Sequence, residues 1–158
     1  MNKTVNPEIL RYKNNSLSFW MSMLAIIFQC IAFVFTYKCL GWTPEFSTGL
    51  DIIINIIFLL FVFLASEKLK TYNVRWGYII IGIGLVNLIR IFTYLIPTHY
   101  VLDSATNNMI LNIDNFSFIL SIVSYVLVAV FCTIGGIVTI KRGKILNEFL
   151  ATLEKEGK

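Results

Sequence analysis

Charged residues divide the chain into four long apolar blocks. Residues 17–37 run for 21 positions without a charge. A second block, 50–66, holds one charge, Asp51, near its start. A third, 76–96, holds one, Arg90, and a fourth, 115–140, holds none. Each block has or approaches the roughly 20 residues that a helix needs to cross about 30 Å of hydrocarbon. Helices are the form these blocks predict, because hydrocarbon offers an open backbone group no partner. Runs such as 52–57 and 79–83 lack the strict alternation of barrel strands. The first block is too long for the core of a signal peptide and has no small-residue cleavage site.

The pattern therefore predicts an all-α integral membrane protein, a four-transmembrane-helix bundle forming a single domain over 1–158. Its outer loops are 39–49 and 97–114, and its tail is 141–158. A short amphipathic cytoplasmic helix is expected at each end. Asn6, Pro7 and Glu8 read as a helix start: an N-cap, a first-turn proline and an acid in the first turn. In the tail, Ile145, Leu146, Phe149, Leu150 and Leu153 fall at helical spacing, opposite lysines and glutamates. Such a stripe suits the inner leaflet or a docking partner. The 18-residue connection 97–114 reads as a long loop with a short apolar run at Met109–Leu111. The tetrapeptides 34–37 (VFTY) and 91–94 (IFTY) form a weak echo between spans one and three.

Composition strengthens the assignment. Apolar residues make up 57 % of the chain, charged residues 14 %, and the mean hydropathy is +0.76. Soluble domains hold about 45–50 % apolar and about 25 % charged residues. Of the 13 basic residues, 11 fall in the N-terminal arm, the second connection and the tail. The positive-inside rule then places both termini in the cytoplasm, with the chain as a multi-pass protein of the plasma (inner) membrane. The outer side carries Glu45, Asp51, Asp103 and Asp114 against one lysine, Lys38. The net charge of +4 reflects this sidedness, and bases spread over three flanks point to no nucleic-acid partner. The Ile-, Asn- and Lys-rich usage is that of an AT-rich bacterial genome.

Small and polar residues form stripes along the spans. Ser18, Ser22, Ala25, Gln29, Ala32 and Thr36 step by three or four, as do Ser117, Ser121, Ser124, Cys132, Gly135 and Thr139 with an interruption at Val128. Asp51, Asn55, Phe58 and Val62 share a face of span two, and Gly84, Asn87, Arg90 and Tyr94 share an arc of span three. Small faces let membrane helices approach closely. Counting depth at about 1.5 Å per residue places Gln29, Asn55, Asn87, Arg90 and Ser121 in one layer of the outer half, capped toward water by Asp51 and Tyr94.

Arg90 dominates that layer. A guanidinium keeps its proton, and a charge at mid-membrane costs about 2.5–3.5 kcal/mol on insertion scales. Three readings remain open. Arg90 braces spans two and three through Asp51 or snorkels upward, centres a pocket for an anionic or polyhydroxylated ligand, or contacts another subunit. Catalytic chemistry is sparse. One histidine allows no metal cluster, and Cys30, Cys39 and Cys132 have no C-x-x-C spacing. No P-loop occurs, and Gly82 and Gly84 lie inside a span. The asparagine sequons at residues 2, 14 and 115 lie on the cytoplasmic side or at the membrane edge.

The expectation is thus a chain with no cofactor and no metal, and three functions stand. The first is a non-catalytic accessory subunit of a larger membrane transport complex, partnered by other membrane subunits such as an ABC-type permease and ATPase. The second is a small oligomeric transporter or channel, partnered by itself and centred on Arg90. The third is a membrane-embedded enzyme or sensor using His99, Asp103 and Asp114. The topology has a direct check. A C-terminal reporter that works only in the cytoplasm is expected to be active, whereas activity from an exterior-only reporter refutes the orientation.

Overall fold

The computed structural model describes residues 7–37, 46–96, 100–102, 109–111 and 115–156. Helix α1 (Pro7–Tyr12) leads into α2 (Ser16–Tyr37). Then follow α3 (Phe46–Leu69) and α4 (Val74–Arg90), which continues as one π-helical stretch, Ile91–Leu95. Strands β1 (Tyr100–Leu102) and β2 (Met109–Leu111) precede α5 (Asn115–Glu156). Four helices, Ser16–Tyr37, Gly49–Leu69, Val74–Leu95 and Asn115–Lys155, are long and apolar enough to cross a membrane.

The small-residue stripes face inward. The buried residues of α2 are the six predicted, Ser18 through Thr36. On α5 the buried line runs through Ser117, Ser121, Ser124, Val128, Cys132 and Thr139, so Val128 continues the stripe. Large apolar side chains such as Trp20, Leu60, Ile89 and Ile119 point outward, as lipid-facing positions should.

Helix α5 packs along both α2 and α4, while α3 meets α2 and α4 and barely touches α5. Close approach explains the first two contacts. A Cβ on Gly136 would stand 2.7 Å from the Gly77 carbonyl oxygen and 2.5 Å from Ile81 Cγ1. One on Gly84 would stand 3.0 Å from Cys132 Cβ. In lipid, where apolar side chains gain little by leaving their solvent, such contact supplies much of the association energy.

Two apolar clusters result. One joins Ala25, Val62, Ala65, Leu69, Ile80, Ile83, Val128 and Cys132 from all four long helices. The other joins Ala32, Ile91, Leu95, Phe118 and Tyr125 and contains no residue of α3. Between them lie Gln29, Asn87 and Arg90, as their places along α2 and α4 require.

Three local features depart from expectation. The tail is not a separate helix: α5 runs unbroken for 42 residues. Gly143, the natural break point, is instead a contact, since a Cβ there would stand 2.4 Å from the Tyr72 carbonyl oxygen. Tyr72 adopts a left-handed φ of 55° in the α3–α4 turn, so turn and tail are built against each other. The run Met109–Leu111 is not a loop dip but a strand, paired antiparallel with Tyr100–Leu102, Val101 opposite Ile110. That pairing satisfies backbone groups which a loop leaves to water. The echoed tetrapeptides differ in form, α-helical at 34–37 and π-helical at 91–94.

Helix α1 spans Pro7–Tyr12 and packs on α5. The N-cap at Asn6, the loop residues Lys38, Cys39, Glu45, His99, Asp103 and Asp114, and the sequon at residue 2 lie outside the described residues.

The glycine contacts generate a paired test. Gly136→Ala is expected to destabilise the folded protein in detergent by about 1–3 kcal/mol through overpacking. Gly82→Ala, where no atom lies within 4 Å, is expected to be neutral or stabilising by up to about 1 kcal/mol. Equal melting temperatures for the two variants would remove the close-approach account.

Candidate functional site, a buried polar layer around Arg90

Each helix presents its polar residue to the interior for a local reason. Asp51 and Asn55 are one turn apart on α3, so both face α2 and α4. Gln29 sits between Ala25 and Ala32 on the small face of α2. Arg90 is the last α-helical residue of α4, with the π-helical stretch directly after it.

Arg90 is 7 % exposed and Asp51 6 %, so the pair is desolvated. Arg90 Nη2 donates to Asp51 Oδ1 at 2.5 Å, and Nη1 donates to Asn55 Oδ1 at 2.7 Å. Gln29 Nε2 donates to the same Asn55 oxygen at 3.0 Å. Asn55 Nδ2 in turn faces the Tyr37 hydroxyl oxygen at 2.9 Å, Asp51 Oδ2 at 3.2 Å and the Asp51 carbonyl oxygen at 3.1 Å. The Tyr37 hydroxyl donates to Asp51 Oδ2. The guanidinium carbon lies 5.6 Å from the centre of the Phe58 ring and 5.7 Å from that of Tyr125. Both rings are within cation–π range.

The magnitudes are commensurate. Holding a charge in mid-membrane costs about 2.5–3.5 kcal/mol. Opposite charges about 4 Å apart attract by about 4 kcal/mol at an effective dielectric near 20. Hydrogen bonds to charged groups add about 1.5–3 kcal/mol each. The network offsets the desolvation of Arg90 without any group from outside the chain. Of the three readings of Arg90, the geometry realises the brace: α3 is tied to α4 through Asp51 and Asn55, and to α2 through Tyr37 and Gln29.

The other expected members of the layer divide. Asn87 is buried beside Arg90 but donates to the Ile83 carbonyl oxygen of its own helix at 3.0 Å. Ser121 is buried and donates to the Ser117 carbonyl oxygen at 2.9 Å, so it closes on α5 rather than joining Arg90. A hydroxyl on a helix can close on the carbonyl one turn back, as Ser121 does, and α3 already supplies the acceptors of Arg90. Tyr94 is half-buried on the π-helical stretch.

Two network residues were not among the expected ones. Tyr37 stands eight positions after Gln29, about 80° round α2 at the edge of its inward face, and that spacing was the available signal. Tyr125 follows Ser121 by four positions and Ser124 by one. A second polar node was missed altogether. Asn15 is fully buried, and the two N–H groups of its Nδ2 are shared among three acceptors: Ser18 Oγ at 2.8 Å, Thr139 Oγ1 at 3.0 Å and the Leu69 carbonyl oxygen at 3.2 Å. An asparagine just before a helix reads as an acceptor cap. Here it is a donor that clamps α2, α3 and α5 at the end bearing both α1 and the tail.

Cys30 is exposed on α2 and Cys132 is buried against Gly84. No group of three His, Cys, Asp or Glu placed to hold a metal occurs among the described residues. The chain matches no protein-family model, no curated protein and no solved structure.

The brace has a thermodynamic signature. Arg90→Leu and Asp51→Leu are each expected to cost about 3–5 kcal/mol, because each strands a buried charge. The double variant should lose far less than the sum, since the interaction is removed as a unit. Unfolding in detergent measures all three, and strict additivity would disprove the pairing.

Proposed function

We propose that this chain is a non-catalytic accessory subunit of a larger membrane transport complex. It resides in the plasma (inner) membrane of a bacterium with both termini cytoplasmic. The observation that carries this reading is the closed state of the Arg90 network. The charge is neutralised by Asp51, and its hydrogen-bond acceptors come from this chain. An anionic solute would have to displace Asp51 from a contact of 2.5 Å. Such a layer is suited to holding four helices in a fixed arrangement for partners to recognise.

The ends of the molecule support the same reading. Basic residues gather at the end formed by α1, the α3–α4 turn and the tail, as the positive-inside rule asks of cytoplasmic segments. From there α5 extends 16 residues past the expected membrane boundary at Ile140, with Leu150 and Leu153 partly exposed. A permease or ATPase subunit of an ABC-type assembly is the class of partner this reading names.

One observation favours the second reading, a small oligomeric transporter centred on Arg90. π-helical turns inside helices recur at functional sites, and here one begins at the residue after Arg90. A single experiment separates the two. Tagged native protein is drawn from the membrane in mild detergent and its co-purifying chains are identified by mass. The accessory reading expects stoichiometric foreign subunits. Recovery of this chain alone refutes it and makes Arg90→Lys in solute-uptake assays the next measurement.

A further inference from the structure

Directly below the Arg90 pair, three buried polar atoms have no protein partner: Gln29 Oε1, Asn87 Oδ1 and Ser124 Oγ. Their residues are at most 1 % exposed and belong to α2, α4 and α5. Helix register brings them to one level. Gly135 lies against Ser18, Met21 and Ser22, and Gly84 against Ala129 and Cys132. Because α5 runs antiparallel to both neighbours, climbing from these contacts sets Gln29 and Asn87 opposite the stretch 124–129. The ring contact of Arg90 with Tyr125 fixes the same level independently. Measured along the bundle axis, the three groups therefore lie at one level, within about one helical turn of rise, roughly 5 Å.

The amide orientations are set by chemistry. Turning Gln29 over would face its oxygen to Asn55 Oδ1, and turning Asn87 would face its oxygen to the Ile83 carbonyl. Both orphans are thus carbonyl oxygens, which only accept. Ser124 offers a hydroxyl donor, and Arg90 uses two of its N–H groups in hydrogen bonds out of the five a guanidinium carries. Two carbonyl oxygens thus want a donor and the Ser124 hydroxyl wants an acceptor, while Arg90 has N–H groups to spare; one water, which donates twice and accepts twice, can meet these needs. Leaving such groups dry costs about 1–3 kcal/mol each, and buried waters typically make about three hydrogen bonds.

We propose that this layer is a binding site for a single buried water molecule. The water donates to Gln29 Oε1 and Asn87 Oδ1 and accepts from Ser124 Oγ and an Arg90 N–H. It joins α2, α4 and α5 where Asp51 and Asn55 join α3, so that the Arg90 layer closes around all four long helices. The site does not depend on the accessory-subunit reading.

The test uses the full-length protein in lipid nanodiscs, 15N-labelled at asparagine and glutamine, with water as the probe. Side-chain amide protons of Gln29 and Asn87 are expected to show magnetisation transfer from water despite their burial, identified by signal loss in Gln29→Leu and Asn87→Leu. Silence at both, while exposed Asn73 responds, overturns the proposal. Ser124→Ala removes one donor to the water. It is expected to weaken the transfer at Gln29 and Asn87 together by at least half. Unchanged transfer at both amides overturns the shared site.

Discussion

A guanidinium that keeps its charge inside an apolar bundle is the constraint around which this structure is arranged. Arg90 needs acceptors, and α3 supplies them. In the half of the bundle that holds Ala32, Leu95 and Phe118, α3 contributes no residue to the apolar cluster, and it barely meets α5. Its hold on the bundle at that level is polar: Asp51 and Asn55 to Arg90, with Tyr37 and Gln29 fixing the two acceptors from the α2 side. Where the polar layer ends, Val62, Ala65 and Leu69 return α3 to ordinary packing. One helix is thus fastened by two different forces along its length.

The remaining three helices obey a different rule. In hydrocarbon an apolar side chain is nearly as well solvated by lipid as by protein, so contact area alone gives little preference for association. Close backbone approach does, and α5 is built for it. It offers Gly135 to the serine face of α2 and Gly136 to Gly77 of α4. The polar nodes then determine which alignment of these smooth faces is kept. Asn15 sets α2, α3 and α5 at one end, and the Arg90 layer sets α2, α3 and α4 nearer the other. Hydrogen bonds lose strength steeply with misalignment, so two such nodes fix the helices against sliding as well as separation.

A layer whose charge is paired within the chain bears on function. Sites that bind charged solutes keep part of their polar capacity open to the ligand. Here the Arg90 charge is paired with Asp51, and the buried atoms without a protein partner are neutral: two amide carbonyls and a hydroxyl. That division supports the proposal of a partner-recognising subunit, with the proposed water rather than a cargo in its interior.

Periodicity along the chain was enough to determine the four spans, the inward faces and the identity of the buried charge, because each follows from local geometry and the hydrophobic cost of exposure. The buried face of α2 is the stripe read from spacing alone, residue for residue. Asp51 was legible as the partner of Arg90 because few acids lie at that depth. Tertiary structure decided what depends on neighbours in space. It assigned Ser121 to its own helix, brought Tyr37 to Asp51 and Tyr125 to Arg90, and turned Asn15 from a cap into a clamp. It also ran α5 through Gly143, because the carbonyl of Tyr72, more than seventy residues away in the chain, fills the space where a side chain would stand. A stripe is a property of one helix and can be counted along the chain, whereas a hydrogen bond between helices exists only once their register is set.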